Sequence, residues 1–135
     1  MQNKMYYKIK LTRPFSDTCD KRIIETYLTE GTNFAEAAEK VINEVGTAPE
    51  IEDILLMKNF KPAVNEPYDT NNKVFIVKIA EDILQDNGTI KTLKYVLPAF
   101  ANNNDELQKI MTDYISQGLN GMRLTTISET KWVYI

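Results

Sequence analysis

Two amphipathic stripes, one in each half of the chain, constrain the fold more than any other feature of the sequence. In each stripe apolar residues recur at three- and four-residue spacing, the period of one helix face. The stripes are Phe34, Ala37, Ala38, Val41, Ile42 and Val45 in the first half, and Leu107, Ile110, Met111, Tyr114 and Ile115 in the second. Because each helix has a single apolar face, each can cover only one side of a sheet.

Both predicted helices carry the same start signal. Asn33 precedes the first stripe with Glu36 three residues on, and Asn103 and Glu106 repeat this arrangement. An asparagine at this position accepts hydrogen bonds from backbone N–H groups that the first helical turn leaves unpaired. The glycines that predict the helix ends are Gly46 and Gly118.

The helices occupy matching places in a pattern that is written twice. Residues 6–11 align with 74–79, residues 26–28 with 94–96, and residues 54–57 with 124–127, a period of about 68 residues. The predicted strands are 4–13, 21–29, 54–61, 73–80, 89–97 and 122–134. We therefore predict an α+β fold, a two-layer sandwich built from two β-β-α-β repeats, with a mainly antiparallel sheet and both helices on one face.

The length fits a single domain spanning residues 1–135. Within it we expect repeat 1 at about 4–61, a linker at 62–72 and repeat 2 at about 73–135. Two prolines and several Asn and Asp residues mark the linker.

Charge is distributed unevenly over the predicted elements. The whole chain carries 16 basic and 19 acidic residues, a formal charge of −3. The six predicted strands hold 14 of the basic residues and two of the acids, so they sum to +12 against −15 elsewhere. Adding the four acids that lie just outside the windows still leaves +8. The sequence thus predicts a basic sheet between acidic helices and loops.

A basic sheet that carries aromatic rings suits single-stranded nucleic acid. Lysine and arginine neutralise phosphates, while flat rings stack on unpaired bases. In the first strand Tyr7, Ile9 and Leu11 point to one face, so Lys8 and Lys10 point to the other. The predicted nucleic-acid-binding residues are Tyr6, Lys8, Lys10, Lys78, Lys94, Tyr95 and Arg123. The ordinary alternative is a solvated antiparallel face whose lysines protect its edges from strand pairing.

Other functional classes find little support in the residues. The chain has no histidine and one cysteine, so it lacks the commonest general base, the commonest zinc ligand and every Cys-His nucleophile pair. Its five glycines form no phosphate-binding loop. We therefore expect no enzyme activity, no catalytic residues, no metal and no cofactor. A small-ligand or nucleotide sponge with a site between the repeats is a third alternative.

The N-terminal residues contain no apolar segment of signal-peptide length, and no apolar run approaches a membrane span. These features predict a cytoplasmic protein without membrane contact. The expected partner is single-stranded nucleic acid or another protein. We also consider a homo-oligomer formed through sheet edges or through the apolar C-terminal segment, residues 132–135.

Several segments together resemble an uncharacterised family of phage and prophage proteins from Bacteroides-type bacteria. The similar segments are residues 7–10, 25–28, 32–38, 94–97 and 124–130. The resemblance covers nearly the whole chain and rests on structural motifs. It implies a phage protein, acting in the host cytoplasm, with no activity attached. Many members end in a short acidic, aromatic tip, whereas this chain ends in a basic and apolar segment that begins at Lys131.

The function that agrees best with these observations is a small non-enzymatic phage protein that binds single-stranded nucleic acid on a basic sheet face. The alternative is a protein-interaction module, such as a host-defence inhibitor or a virion or replisome accessory protein. The salt dependence of binding discriminates between the two, since phosphate contacts weaken steeply with salt.

Overall fold

A computed structural model describes residues 4–16, 19–46, 48–117 and 121–135. Within these ranges the chain is an α+β protein with two helices and seven strands, mainly antiparallel, in two sheets. The elements are β1 (Met5–Ser16), β2 (Cys19–Gly31), α1 (Phe34–Val45), β3 (Glu50–Leu56), β4 (Lys73–Leu84), β5 (Ile90–Ala101), α2 (Asn104–Ser116), β6 (Met122–Glu129) and β7 (Val133–Tyr134).

The chain divides into two compact units. The first unit comprises Met1–Lys58 with Lys131–Ile135, and the second comprises Asn59–Thr130. The first unit therefore holds β1, β2, α1, β3 and β7, while the second holds β4, β5, α2 and β6.

The first unit packs α1 on one face of a four-stranded sheet. The strand order is β3-β1-β2-β7; β3 and β2 are antiparallel to β1, and β7 is parallel to β2. Tyr7, Ile9 and Leu11 of β1 pack with Ala37 and Val41 of α1. The alternation predicted for this strand is confirmed on its apolar side.

The second unit packs α2 on one face of a three-stranded antiparallel sheet with the order β5-β4-β6. Phe75, Val77 and Ile79 of β4 form its core with Leu107 and Met111 of α2. Because every second residue of β4 contacts this core, the intervening residues define the opposite, outer face of the sheet.

The helix starts are confirmed. The Oδ1 atoms of Asn33 and Asn103 accept hydrogen bonds of 2.8 Å from the backbone N–H groups of Glu36 and Glu106. Gly46 ends α1 at a φ of 79°, a conformation that favours glycine. The predicted end of α2, Gly118, lies outside the described residues; the last described position, Gln117, caps this helix.

Two predicted strands differ most from the observed strands. The third strand begins at Glu50 and ends at Leu56, four residues earlier at its start than the predicted window of 54–61. The predicted strand 122–134 is two strands, β6 and β7, which belong to different sheets. Val133 and Tyr134 pair with Tyr27 and Leu28, so β7 extends the first sheet. The C-terminal segment therefore pairs within its own chain, as an edge strand of the first sheet.

The segment predicted as a linker is anchored along β5. The backbone N–H groups of Lys61 and Val64 donate to the carbonyls of Val96 and Pro98, at 2.8 and 2.9 Å. The side chain of Asn65 both donates to the carbonyl and accepts from the N–H of Phe100. These bonds hold an irregular segment along the edge of β5 that does not pair with β4. Proline and asparagine prevent this segment from forming a regular strand.

Candidate nucleic-acid interface

In the first unit, the predicted binding residues of β1 are already engaged. Tyr6 is 7% exposed, so its ring is not open to stack on a base, contrary to the prediction. The Lys8 ammonium lies 4.9 Å from the centroid of the ring of Trp132, the residue just before the edge strand β7, and forms a cation–π contact with it. The Lys10 ammonium lies 3.6 Å from a carboxylate oxygen of Glu52.

The acid beside Lys10 comes from an irregularity that sequence periodicity does not reveal. The pairing of β1 with β3 shifts between Lys10 and Leu11, where the chain accommodates an extra residue, Glu52. This bulge places an acid beside the lysine. The outer face of the first sheet also contains Asp53, opposite Lys10, and is therefore mixed in charge.

In the second unit, the structure brings three predicted residues together on the outer face. Lys94 of β5 and Arg123 of β6 both lie opposite Ala80 of the central strand β4. Lys78 lies two residues before Ala80 on the same strand, so all three point to the same face. All three are exposed. We call the surface formed by Lys78, Lys94 and Arg123 the cationic face.

The cationic face follows from strand geometry. Neighbouring strands are about 4.8 Å apart, so the backbones of Lys94 and Arg123 are about 10 Å apart across β4. Two residues along a strand span about 7 Å, which places Lys78 in the adjacent row. Among the described residues, Lys78 and Lys94 form no ion pair, which leaves both ammonium groups available.

Arg123 has an intramolecular partner in Asp82. Its guanidinium forms an ion pair with the Asp82 carboxylate, which also accepts a hydrogen bond of 2.6 Å from the Thr92 hydroxyl. Both bonds, that from Thr92 first, lower the pKa of Asp82 below its usual value. Asp82 thus orients Arg123 and offsets one of the three positive charges.

Tyr95 lies on the other face of this sheet, which corrects its place in the predicted interface. It pairs with Ile79, a core residue on the helix side. Burial, and secondarily the nearby Glu81 carboxylate, raise the pKa of its phenol. The ring therefore cannot stack on a base held by Lys78.

The register of the hairpins explains why the repeat alignment misplaced this residue. Tyr27 pairs with Ile9, whose aligned partner in the second half is Val77. Val77 pairs with Leu97 instead of Tyr95, because the second hairpin is two residues longer. Tyr27 and Tyr95 therefore do not occupy equivalent positions.

Tyr27 belongs to a separate polar cluster in the first unit. Its hydroxyl donates a hydrogen bond of 3.0 Å to Glu25, whose carboxylate also pairs with the Arg13 guanidinium. Burial, followed by the hydrogen bond to Glu25, raises the pKa of Tyr27. The cluster lies on the helix side of the sheet, since Glu25 is opposite the core residue Leu11.

The predicted separation of charge between strands and helices is wrong. The strands as observed hold ten basic and nine acidic residues, a net charge of +1. The change arises because β3 begins earlier and gains Glu50, Glu52 and Asp53, while Lys58 and Lys61 lie outside it. Other strands extend past the predicted windows and add further acids. The strands together are therefore close to neutral.

Two apolar residues at the end of the same outer face were missed by the sequence reasoning. Leu84 and Ile90 are paired at the end of the β4–β5 hairpin and are 74% and 68% exposed. They share the face of Asp82 and Thr92 by strand parity. The signal was present, since the alternation of β4 continues through Ile83 and Leu84. We call Leu84 and Ile90 the apolar tip.

The chain matches no protein-family model and no curated protein. Among the described residues, no helix is both long and apolar enough to cross a membrane. In the same part of the chain, no group of three or more Cys, Asp or Glu side chains is arranged to hold a metal ion.

Proposed function

We propose that this protein is a small non-enzymatic binding protein whose ligand is single-stranded nucleic acid, held on the cationic face. The observation that carries the proposal is the position of three exposed side chains, Lys78, Lys94 and Arg123, on one sheet face in two adjacent rows. Lys78 and Lys94 can each neutralise one phosphate and release its counterion, and the Arg123 guanidinium, whose charge Asp82 offsets, can donate hydrogen bonds to a third phosphate.

The arrangement favours a flexible strand over a duplex. A single strand can follow a twisted sheet, place consecutive phosphates near Lys94, Arg123 and Lys78, and turn its bases toward the apolar tip. Because no tyrosine from the predicted set stands on this face, phosphate contacts supply most of the affinity. We therefore expect weaker binding than for proteins that stack bases on aromatic rings.

The test measures fluorescence anisotropy of a labelled oligodeoxythymidine of about 30 nucleotides at low salt. The variant replaces Lys78, Lys94 and Arg123 with glutamine. The control replaces Lys40, Lys58 and Lys109, three exposed lysines outside the face, and removes the same total charge. Binding that is lost in the first variant and retained in the second supports the proposal. Equal binding by both, or no binding by the parent chain, contradicts it.

The apolar tip favours a second candidate function, a protein-interaction module. Two large aliphatic side chains, Leu84 and Ile90, stand largely exposed beside an edge of the cationic face. A partner segment with both acidic and apolar side chains would complement this surface, as in a host-defence inhibitor or a virion or replisome accessory protein.

The two candidates respond differently to one substitution. Replacing Leu84 and Ile90 together with serine should weaken a protein interface and change oligonucleotide binding little. A photocrosslinking residue at position 84 in expressing cells, compared with one at the exposed position Asn87, tests the interface. Crosslinks specific to position 84 that disappear on replacing Ile90 support a protein partner, and equal crosslinking at both positions argues against it.

We also infer that the two units are copies of one β-β-α-β repeat. Both units have the same order of elements, the same sheet order around the first strand, and a register shift at the corresponding place, after Lys10 and after Lys78. Both helices begin with the same asparagine cap. A phage origin and a cytoplasmic location remain part of this proposal. The resemblance described above supports the origin.

A further inference from the structure

A cavity in the second unit lies on the helix side of the sheet, away from the cationic face. Its volume is about 300 Å³, which suits one small molecule. The lining residues are Lys61, Pro62, Ile79, Glu81, Tyr95, Leu97, Tyr114 and Met122. They come from the segment along β5, from all three strands and from α2, so the folding of the unit builds the cavity.

The floor and the rim of the cavity differ in chemistry. Ile79 and Leu97 are buried core residues on β4 and β5, and they present an apolar floor with Met122. Tyr95 and Tyr114 add two phenol rings to the wall. An apolar floor with aromatic walls accepts a flat ring better than an extended chain.

Two charged groups of opposite sign complete the lining. The Lys61 ammonium lies 5.5 Å from the centroid of the Tyr95 ring, and the backbone N–H of Lys61 is tied to Val96. Glu81 follows the floor residue Ile79 on the same strand face, and its carboxylate lies close enough to Tyr95 to help raise the pKa of that phenol. In the described part of the chain, neither Lys61 nor Glu81 forms an ion pair.

The corresponding end of the first unit carries a bonded cluster of side chains. There Leu11 takes the place of Ile79, and the Arg13, Glu25 and Tyr27 side chains bond to one another beside it. In the first unit Arg13, on the sheet itself, pairs with Glu25 and neutralises it. In the second unit Glu81 takes the position of Arg13, so an acid faces the space without such a partner.

We propose that this cavity binds a guanine mononucleotide, with the base over Ile79 and Leu97, its paired N–H donors on the Glu81 carboxylate and its phosphate on Lys61. A carboxylate can accept several hydrogen bonds, and the Glu81 carboxylate lines the cavity. Guanine offers adjacent ring and amino N–H donors on one edge. Adenine offers no such pair, and cytosine and uracil are smaller rings that fill less of the floor.

The charge pattern selects the whole nucleotide over the base alone. The Lys61 ammonium supplies a point charge at the rim, which suits a phosphate whose other side remains in water. This site is separate from the cationic face, so the inference does not depend on the proposed nucleic-acid function. An oligodeoxythymidine contains no guanine, which keeps the two tests independent.

The experiment is isothermal titration calorimetry of the intact chain with GMP, guanosine, IMP, AMP and free L-arginine near neutral pH. IMP lacks only the amino group of GMP, so it should bind about tenfold or more weakly, the effect of one hydrogen bond to a charged group. AMP should bind weaker still. Guanosine should bind less well than GMP, and this difference should vanish in Lys61→Gln.

Three variants test the assignment. Glu81→Gln keeps the shape of the side chain but replaces one acceptor oxygen with a donor, so it should remove the preference for GMP over IMP. Glu66→Gln, at an exposed position outside the cavity, should leave it unchanged. Met122→Trp fills the space and should abolish binding, with a thermal unfolding scan to verify that the variant is folded.

The inference is overturned if GMP produces no heat at millimolar concentration, or if GMP and AMP bind equally. It is also overturned if Glu81→Gln or a folded Met122→Trp binds GMP as the parent chain does. Binding of L-arginine in preference to GMP would assign the cavity to a guanidinium group instead.

Discussion

Replacing Val41 with alanine should cost more stability than replacing its neighbour Ile42, although Ile42 loses more carbon atoms. Val41 is 0% exposed and belongs to the core of the first unit, whereas Ile42 is 41% exposed. Sequence periodicity places both residues on the same stripe. The pair therefore tests whether burial in the structure, and not membership of the stripe, sets the contribution to stability.

The magnitudes follow from the carbons removed and the space left behind. Val41→Ala removes two buried carbons, worth about 1.6 kcal/mol of transfer free energy, and leaves an enclosed cavity that adds about 1 kcal/mol. Ile42→Ala removes three carbons that are only partly buried, worth about 1.4 kcal/mol, and its space opens to water. The better helix propensity of alanine offsets about 0.5 kcal/mol in each case. The expected losses are about 2 and about 1 kcal/mol.

Urea unfolding followed by tryptophan fluorescence measures these losses in the right part of the chain. Trp132 is the only tryptophan, and it lies in the same unit as α1. The exposed residue Asn43 on the same helix supplies a control, since Asn43→Ala should change stability by less than about 0.5 kcal/mol. A loss for Ile42→Ala equal to or greater than that for Val41→Ala would refute the packing described for α1.

Two further predictions concern the helix caps and the tyrosines. Asn33→Ala and Asn103→Ala should each lower the free energy of unfolding by about 1 kcal/mol, because each removes the side-chain acceptor of a first-turn N–H group. The corresponding aspartate variants keep an acceptor and should retain most of the stability. Equal stability of the alanine and aspartate variants in urea titrations would contradict the capping role. The pKa values of Tyr27 and Tyr95 are raised above 10.0, so the stability they contribute is present below pH 10.0 and is lost as the pH rises through their folded-state pKa values. A titration followed by ultraviolet absorbance should show two phenols that ionise above pH 10.0, and this late component should shrink in Tyr27→Phe and in Tyr95→Phe. Unchanged titration curves in both variants would count against the contacts of these tyrosines with Glu25 and Glu81.

The helices could be predicted from sequence because their determinants are local. A stripe at three- and four-residue spacing and an asparagine three residues before a glutamate act within one or two turns. The periodicity nevertheless ranked the residues imperfectly. Met111 is buried while Ile110 is half-buried, since the helix turns its face slightly relative to the stripe's centre.

The cationic face was only partly predictable because strand partners lie far apart in sequence. The parity of β1 correctly separated Ile9 from Lys8, but nothing local indicated that Trp132 would lie beside Lys8. The bulge that brings Glu52 to Lys10 is a property of pairing register, and so is the two-residue difference that pairs Tyr95 with Ile79 instead of Val77. A one-residue change of register transfers a side chain to the other face.

The cavity could not be predicted from the sequence for the same reason, since its lining residues lie far apart along the chain. Its charged groups, Lys61 and Glu81, are 20 positions apart in the sequence and form no recognisable motif. They meet because the segment that contains Lys61 is hydrogen-bonded to Val96 on the edge of β5. Composition suggested a linker there, since proline and asparagine have the same local signature in a free connection and in an anchored one.

The salt dependence of oligonucleotide binding tests the proposed function most directly. The affinity of the parent chain for an oligodeoxythymidine should fall as salt rises, with a slope of about −0.7 for each phosphate contact in a plot of log affinity against log salt concentration. Replacing Lys78, Lys94 and Arg123 with glutamine should make this slope shallower by about 1.4 for the two lysines, and by about 2 if Arg123 contributes a full contact, so the variant should lose about 25- to 100-fold less affinity than the parent between about 50 mM and about 500 mM salt. An unchanged slope in that variant, with the Lys40, Lys58 and Lys109 control behaving identically, would show that the cationic face does not bind phosphates.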